Sequence, residues 1–213
     1  MTRAAAARAI VHCCRSLWEA GLIAGADGNV SVRYRRDRLL VTPRGCLKAD
    51  LTPRDLVTVD LRGRRLGGFR LPSTELDLHL RVYRRHPDCG AVVHAHPPTA
   101  TAFAATGRTV RADVLPEVAL LLGRVPLVPY ATPGTLALGE LVEPHLRGHV
   151  ALLLANHGAV TWGPDLTMAQ IRMESLEHAA RILLAASAIG RVRRLSPRQL
   201  GALERMRGNA SDG

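Results

Sequence analysis

Two short apolar runs, each closing on histidine, constrain this chain more than any other feature of its sequence. Gly90-Ala91-Val92-Val93 leads into His94-Ala95-His96-Pro97, and Val150-Ala151-Leu152-Leu153-Leu154-Ala155 leads into Asn156-His157-Gly158. Apolar runs this short, bounded by glycine and proline, have the length of buried strands rather than of core helices. Thr161-Trp162 reads as a further strand after the turn at Gly158. The chain therefore sets its most reactive side chains at the ends of interior strands.

The rest of the pattern surrounds those strands. Residues 30–34 and 38–42 alternate as two strands of a hairpin, 55–60 is a short strand, residues 62–68 are a glycine-rich turn, and 127–130 is extended. Helical spacing covers residues 3–20. A helix starts at Pro72-Ser73-Thr74 and runs to about Arg85, with Thr74 as its cap. Further helices are expected over 98–106, over 135–146 with a break near Pro144, and from an Asp165 or Thr167 cap to Ile189, where Gly190 stops it. Neighbouring strands joined by short turns argue for a mixed or antiparallel sheet with helices on its faces, not a doubly wound parallel sheet. No internal repeat or linker interrupts residues 1–195, which read as one domain. Residues 196–213 read as a polar, fraying tail.

Charge raises a second question. The 213 residues carry 29 basic against 18 acidic side chains, a net +11, and Lys48 is the only lysine. Guanidinium groups fork onto phosphate and carboxylate, which suits an anionic ligand. The arginines are scattered, however, and the few aromatics do not interleave with them, so nucleic acid is not expected as a partner. No long apolar stretch suits a membrane span. Arg8, His12 and Arg15 break the alanine-rich start as a secretion signal, so the expected location is cytoplasmic. Cys13, Cys14, Cys46 and Cys89 lack metal-site spacing and are expected as free, mostly buried thiols.

His94 and His96 stand two apart on a strand, so both imidazoles face one side. Two such histidines are either ordinary strand-end residues or the start of a zinc-type site. His157, at the end of the other apolar run, makes a three-histidine site with an open fourth position a coherent alternative. Glu75, at the Pro-Ser-Thr helix start, is either a favourable dipole contact or an acid/base. The turns at Gly28-Asn29, Arg44-Gly45 and Ser73-Thr74 could bind an oxyanion, although turns need such residues anyway. No Walker A loop or dinucleotide fingerprint is present.

Taken in order, Gly28-Asn29-Val30-Ser31, Thr42-Pro43-Arg44-Gly45, Pro72-Ser73-Thr74-Glu75, His94-Ala95-His96-Pro97, Pro129-Tyr130-Ala131-Thr132-Pro133-Gly134-Thr135 and Asn156-His157-Gly158 resemble the class II aldolase/adducin family. The resemblance spans roughly residues 4–190. It implies an α/β fold of the α+β type, a three-layer αβα sandwich around a mostly antiparallel mixed sheet, assembled as a homotetramer with sites between subunits. By the same resemblance His94, His96 and His157 match zinc ligands. Glu75 matches the catalytic acid/base and an occasional ligand. Asn29, Gly45, Ser73 and Thr74 match phosphate-binding positions, and Arg44 stands at such a position where the family's fuculose-type enzyme has threonine.

The activity so implied is a zinc-dependent aldolase that cleaves a short-chain ketose 1-phosphate to dihydroxyacetone phosphate and an aldehyde. Mn2+ or Co2+ could replace Zn2+. The implied rivals are a sugar-phosphate dehydratase on the same scaffold and a non-catalytic adducin-like interaction module. The family's catalytic tyrosine, supplied by a neighbouring subunit, has no counterpart in Val114-Leu115-Pro116-Glu117-Val118, so either Glu117 takes its place or the substrate differs. Lys48 lies in a loop-like stretch beside Asp50, so a lysine Schiff base is not expected.

Overall fold

A computed structural model describes residues 1–210 of the chain, with side chains described for residues 1–205. Eight strands form one sheet: β1 (Asn29–Arg35), β2 (Arg38–Val41), β3 (Val57–Asp60), β4 (Arg65–Gly67), β5 (Ala91–Ala95), β6 (Leu127–Val128), β7 (Ala151–Leu154) and β8 (Gly158–Gly163). They lie in the order β4-β3-β2-β1-β5-β8-β7-β6. All neighbours are antiparallel except β6 and β7. Tight turns join β1 to β2 and β7 to β8, whereas the parallel β6–β7 pair needs the helical crossover between them.

The helices are α1 (Arg3–Glu19), α2 (Leu76–Arg85), α3 (Pro98–Ala105), α4 (Pro116–Leu122), α5 (Leu136–Val142), α6 (Leu166–Ile189) and α7 (Pro197–Ala210). Alternation along the strands sorts their side chains into two cores. Val30, Val32, Val93, Ala95 and Leu153 pack with Ile10 and Leu17 of α1, Ala100 of α3, Val118 of α4 and Met173 of α6. On the other face Val41, Val92, Leu152, Leu154 and Val160 pack with Leu80 and Tyr83 of α2 and Val142 of α5. The result is the three-layer αβα sandwich around a mostly antiparallel sheet. Strands β5, β7 and β8 are covered on both faces, which is why their sequences run apolar instead of alternating. No helix among the described residues is long and apolar enough to cross a membrane. All four cysteines are free thiols, three of them buried.

Three local expectations are corrected, and one element is added to them. The turn expected at 62–68 contains β4, an exposed three-residue edge strand held by backbone pairing to β3, which leaves no apolar signature. The helix expected from Pro72 starts at Leu76 with Glu75, not Thr74, at its cap position. Residues 72–73 are extended because Pro72 bridges Pro43 and the Ser73 N–H donates to Thr42 O. The α4 helix has no counterpart among the sequence expectations, although proline at its first position is a regular helix start. Finally, the expected polar tail is helical over Pro197–Ala210. Ser196 and Gln199 cap each other reciprocally: the Ser196 N–H donates to Gln199 Oε1 (2.8 Å) and the Gln199 N–H to Ser196 Oγ (3.3 Å). Fraying of residues 211–213 lies outside the described residues.

Glu177 ties α6 to the start of α3. Its buried carboxylate accepts from the Thr99 N–H (3.0 Å), the Ala100 N–H (2.9 Å) and Arg181 Nε (2.8 Å). These first-turn amides of α3 lie beyond the reach of the helix's own carbonyls, so the carboxylate does what a capping side chain would do. Hydrogen bonds to a charged acceptor are worth about 1.5–3 kcal/mol each, and orphaned buried amides carry a similar cost. Glu177→Ala should therefore lower the unfolding free energy by about 2–4 kcal/mol, and Glu177→Gln by less. Urea denaturation of the three proteins checks this; a Glu177→Ala midpoint equal to wild type would refute it.

Candidate active site

The site is assembled by register. In the β1–β5–β8 ladder Asn29 is paired with His94, and His94 with Val160. Alternation then turns Asn29, Ser31 and His94 toward α2. The helix answers with Glu75, His79 and Tyr83, spaced one turn apart on the facing side. Asn29 Nδ2 donates to Glu75 Oε2 at 2.8 Å. Ser31 Oγ lies 2.6 Å from His79 Nδ1 and 2.9 Å from the Tyr83 hydroxyl. Three strand residues and three helix residues thus form a polar column inside an otherwise apolar interface.

His96 follows directly after β5, and His157 sits in the β7–β8 turn beside Asn156, whose φ of 54° is left-handed. Pairing of Ala95 with Ala159 carries that turn alongside His96. The three imidazoles meet, with ring centroids 4.7–5.1 Å apart. One ring nitrogen from each lies within 4.8 Å of the others. Two glycines permit this approach. A Cβ on Gly158 would stand 2.7 Å from His96 Cδ2 and 2.5 Å from Ala95 O, and one on Gly28 would stand 2.7 Å from His94 O.

All three rings turn Nε2 inward. His94 Nε2 is 3.2 Å from Glu75 Oε2, His157 Nε2 is 3.2 Å from Glu75 Oε1, and His96 Nε2 is 3.2 Å from His94 Nε2. The outward nitrogens differ. His94 Nδ1 lies 2.9 Å from Ala159 O, which can only accept, so in the neutral ring Nδ1 holds the proton and Nε2 offers its lone pair inward. His96 Nδ1 faces Asp27 Oδ2 at 3.5 Å, and His157 Nδ1 is buried without a partner among the described residues. Three imidazole nitrogens and one carboxylate are the donor types of a zinc-like site.

Charge in the site follows from proximity. Burial alone would raise the Glu75 carboxyl, but the His94 and His157 imidazoles outweigh it and hold Glu75 well below the usual carboxylate range. Burial would lower His94, yet the Glu75 carboxylate raises it overall. Burial and repulsion from His94 and His157 push His96 down to about 4. Fully enclosed His79 is pushed down to about 3, mainly by burial and then by His94.

A cavity of about 260 Å³ opens over these groups. Asn29, Arg44, Gly45, Ser73 and Thr74, all expected from the sequence, line it together with Glu75, His96 and His157; His94 lies behind them, fully buried. Asn29 is itself buried, and its amide is committed to Glu75. Ser73 Oγ accepts from the Glu75 N–H at 3.2 Å. The Arg44 side chain stands exposed at the rim. Glu117 is not among the lining residues; it lies on α4, across the sheet from α2. A larger cavity of about 480 Å³ lies elsewhere, between residues 109–113, α4 and α7, and contains no histidine.

Sequence reasoning misses three residues here. It takes Asp27 only as part of a flexible turn and gives His79 no role; both carry signals only once the sheet register is known. It places Lys48 in a loop-like stretch, yet Lys48 is buried and lines the cavity. Its Nζ donates to Ala26 O (2.7 Å) and Cys46 O (3.1 Å), and burial lowers its pKa against the opposing pull of Cys14, Cys46, Asp27 and Glu75.

Residues 8–184 match the description of the Class II Aldolase and Adducin N-terminal domain. The chain is 36% identical over 172 residues to the 3-oxo-tetronate 4-phosphate decarboxylase of Pectobacterium atrosepticum, covering 79% of this chain and 78% of that one. It is 36% identical over 189 residues to the L-fuculose phosphate aldolase of Escherichia coli, covering 89% and 87%. Among solved structures, an L-fuculose 1-phosphate aldolase superimposes with a TM-score of 0.90 at 29% identity, covering 97% of this chain and 98% of that one. The L-fuculose-1-phosphate aldolase of Thermus thermophilus gives 0.76 at 34% identity, covering 85% and 93%.

The buried column has a pH signature in the metal-free protein. His79 stays neutral in the folded state down to about pH 3, whereas the unfolded side chain takes up its proton near pH 6.5. The unfolded state thus binds the extra proton between those values, and stability falls as pH falls across that window. The depressed His96 and Glu75 act in the same direction, while the raised His94 contributes stability below its unfolded pKa that is lost as pH rises through its folded one. Removing His79 should reduce the slope by up to one proton, about 1.4 kcal/mol per pH unit. Urea midpoints of wild type and His79→Gln from pH 7 to 4 test this; parallel profiles would refute it.

Proposed function

Because the chain belongs to the class II aldolase and adducin family, we propose that it is a zinc-dependent aldolase that cleaves a short-chain ketose 1-phosphate to dihydroxyacetone phosphate and an aldehyde. The observation that carries this reading is the convergence of three imidazole Nε2 atoms, two of them against the Glu75 carboxylate and that of His96 against His94 Nε2, at the edge of a cavity walled by small polar turns. His94, His96 and His157 would hold the ion, and Glu75 would be a fourth donor when substrate is absent. The donors fit: the His94 Nδ1 contact to Ala159 O presets its inward lone pair, and the set is that of zinc, with Mn2+ or Co2+ as substitutes. A bound divalent ion supplies Lewis-acid stabilisation of the negative charge that C–C cleavage leaves beside a carbonyl.

The chain's own residues do the remainder. The turns carrying Arg44, Gly45, Ser73 and Thr74 would hold the phosphate and fix the scissile bond, which lowers the entropic part of the barrier. Asn29 aims Glu75 by donating to Oε2. Glu75 is ionised at neutral pH, so it begins as a base. The bond breaks between the carbon bearing the leaving aldehyde's hydroxyl and the carbon next to the ketone. Glu75 takes the hydroxyl's proton as that group becomes the aldehyde, the electron pair stays on the carbon beside the ketone, and Glu75 returns the proton there. Lys48 forms no Schiff base in this scheme, since its ammonium is engaged by two carbonyls.

One observation favours a second reading, decarboxylation of a phosphorylated 3-oxo acid: the chain is equally identical, at 36%, to a relative named for that reaction. Both reactions leave the same kind of charge beside a carbonyl. Product analysis with ketose 1-phosphates and with 3-oxo-tetronate 4-phosphate separates them. The working unit we propose is a homotetramer with sites between subunits; a solution mass of a single 23.0 kDa chain would exclude it.

The joint test of metal and base uses two variants. Protein purified without added metal should hold close to one zinc per chain, and His96→Ala should lose most of it. Glu75→Gln should keep its fold but lose about 10²–10⁴-fold in turnover, the usual contribution of a general acid–base group. EDTA should abolish wild-type activity, and borohydride with substrate should not. Full zinc in His96→Ala, or a Glu75→Gln rate above about a tenth of wild type, would refute the assignment.

A further inference from the structure

A buried lysine is costly to place, because its ammonium must give up water, and a methionine of similar size would fill the same space without that cost. Lys48 is the only buried residue between Arg44 and Asp50. Its partners explain its position. Its backbone N–H donates to Gly25 O (3.2 Å), and Nζ donates to Ala26 O (2.7 Å) and Cys46 O (3.1 Å). Three hydrogen bonds from one residue therefore fasten the 25–28 turn to the 43–46 turn. Residues 25–27 are exposed, and Gly25 and Gly28 have left-handed φ values of 52° and 67°, so that turn lacks the ladder bonds that fix a strand. It nevertheless carries Asp27, whose Oδ2 faces His96 Nδ1 at 3.5 Å, and the cavity wall includes Ala26, Asp27 and Lys48 themselves.

We propose that Lys48 is a positioning residue that clasps the 25–28 turn in place and thereby keeps Asp27 against the outward nitrogen of His96. This rests on the metal-site reading above. His94 has a backbone carbonyl to fix its ring, and His157 has no described partner at Nδ1, so His96 is the one imidazole of the three oriented by a carboxylate from outside the cluster. A carboxylate behind a ligating imidazole sets the ring's tautomer and orientation and raises its basicity as a ligand. Because Asp27 is half-exposed on a glycine-flanked turn, its grip on His96 depends on what anchors the turn.

Zinc affinity of the metal-stripped protein, read by competition with a chromogenic chelator, tests this without relying on turnover. Lys48→Met and Asp27→Asn should each weaken zinc binding by about 10–100-fold, the range for such outer contacts. In the double variant the Asp27→Asn effect should largely vanish, because both changes act through one contact. A residue that merely stabilises the fold would lower the melting temperature and leave the zinc affinity of the folded protein unchanged. Lys48→Met within about two-fold of wild type, or effects that simply multiply in the double variant, would overturn the inference. Should Lys48→Met fail to fold, Asp27→Asn at its exposed position decides: wild-type zinc affinity there overturns it equally. A wild-type protein that takes up no zinc would refute the metal reading itself, a separate outcome from wild-type binding that Lys48→Met leaves intact.

Discussion

The pairing of β1 with β5 and of β5 with β8 is the constraint on which the rest of the structure depends. Side chains alternate with a period of two, so a slip of one residue would turn Asn29, Ser31 and His94 into the apolar layer beneath α1 and α6. It would also move Val93 and Ala95 out of that layer, which sets the full hydrophobic burial of the central strands against the slip. The register is thus enforced by apolar residues that have no chemistry, and the polar residues are placed as a consequence. The β7–β8 hairpin follows from the same ladder, since Gly158 pairs with Leu154 and the turn must then stand beside His96.

Much of this is legible in the sequence because the relevant signals are local. The apolar runs ending at His94 and His157 state their own length, and the Asp165 cap of α6 is a short-range feature, its side chain accepting from the Met168 N–H at 2.7 Å. The failures share a different cause. The extended path of Pro72 and Ser73 is imposed by β2, β4 is held by backbone pairing alone, and Lys48 is buried by turns distant from it in sequence. None of these contacts leaves a periodicity or a composition for a sequence reading to find. The Ser196–Gln199 capping box before α7 is the exception: its signal is local, and the polar composition around it conceals it.

The column behind the site shows how a polar cluster is tolerated in such an interface. Ser31 joins His79 to Tyr83, so two large buried side chains obtain partners from one small hydroxyl. Burial pushes His79 down and Tyr83 well up, so both rings stay neutral at physiological pH. At the cavity end of the column the charge sits on Glu75, and at the far end the Arg33 guanidinium lies 5.0 Å from the Tyr83 ring centre. Neutral partners one and two turns along α2 therefore hold the helix in place without adding a competing charge beside Glu75, whose ionisation the imidazoles control.

The side of the cavity opposite Glu75 is where aldol cleavage and decarboxylation would diverge. Both need a stabilised negative charge and a proton for the carbon that receives it, and the histidine–glutamate cluster is suited to either. They differ at the departing fragment. An aldehyde leaves from a hydroxyl that must lose a proton, so a second acid–base group is useful there, whereas carbon dioxide leaves without one. Among the described residues of one chain no such group lines the cavity beyond Glu75, the histidines, Asp27 and Lys48, because the sheet separates Glu117 from the α2 face. If Glu117 takes part in cleavage, it must therefore arrive from a second copy of the chain, and assembly would then help to decide which bond the same histidine–glutamate cluster breaks.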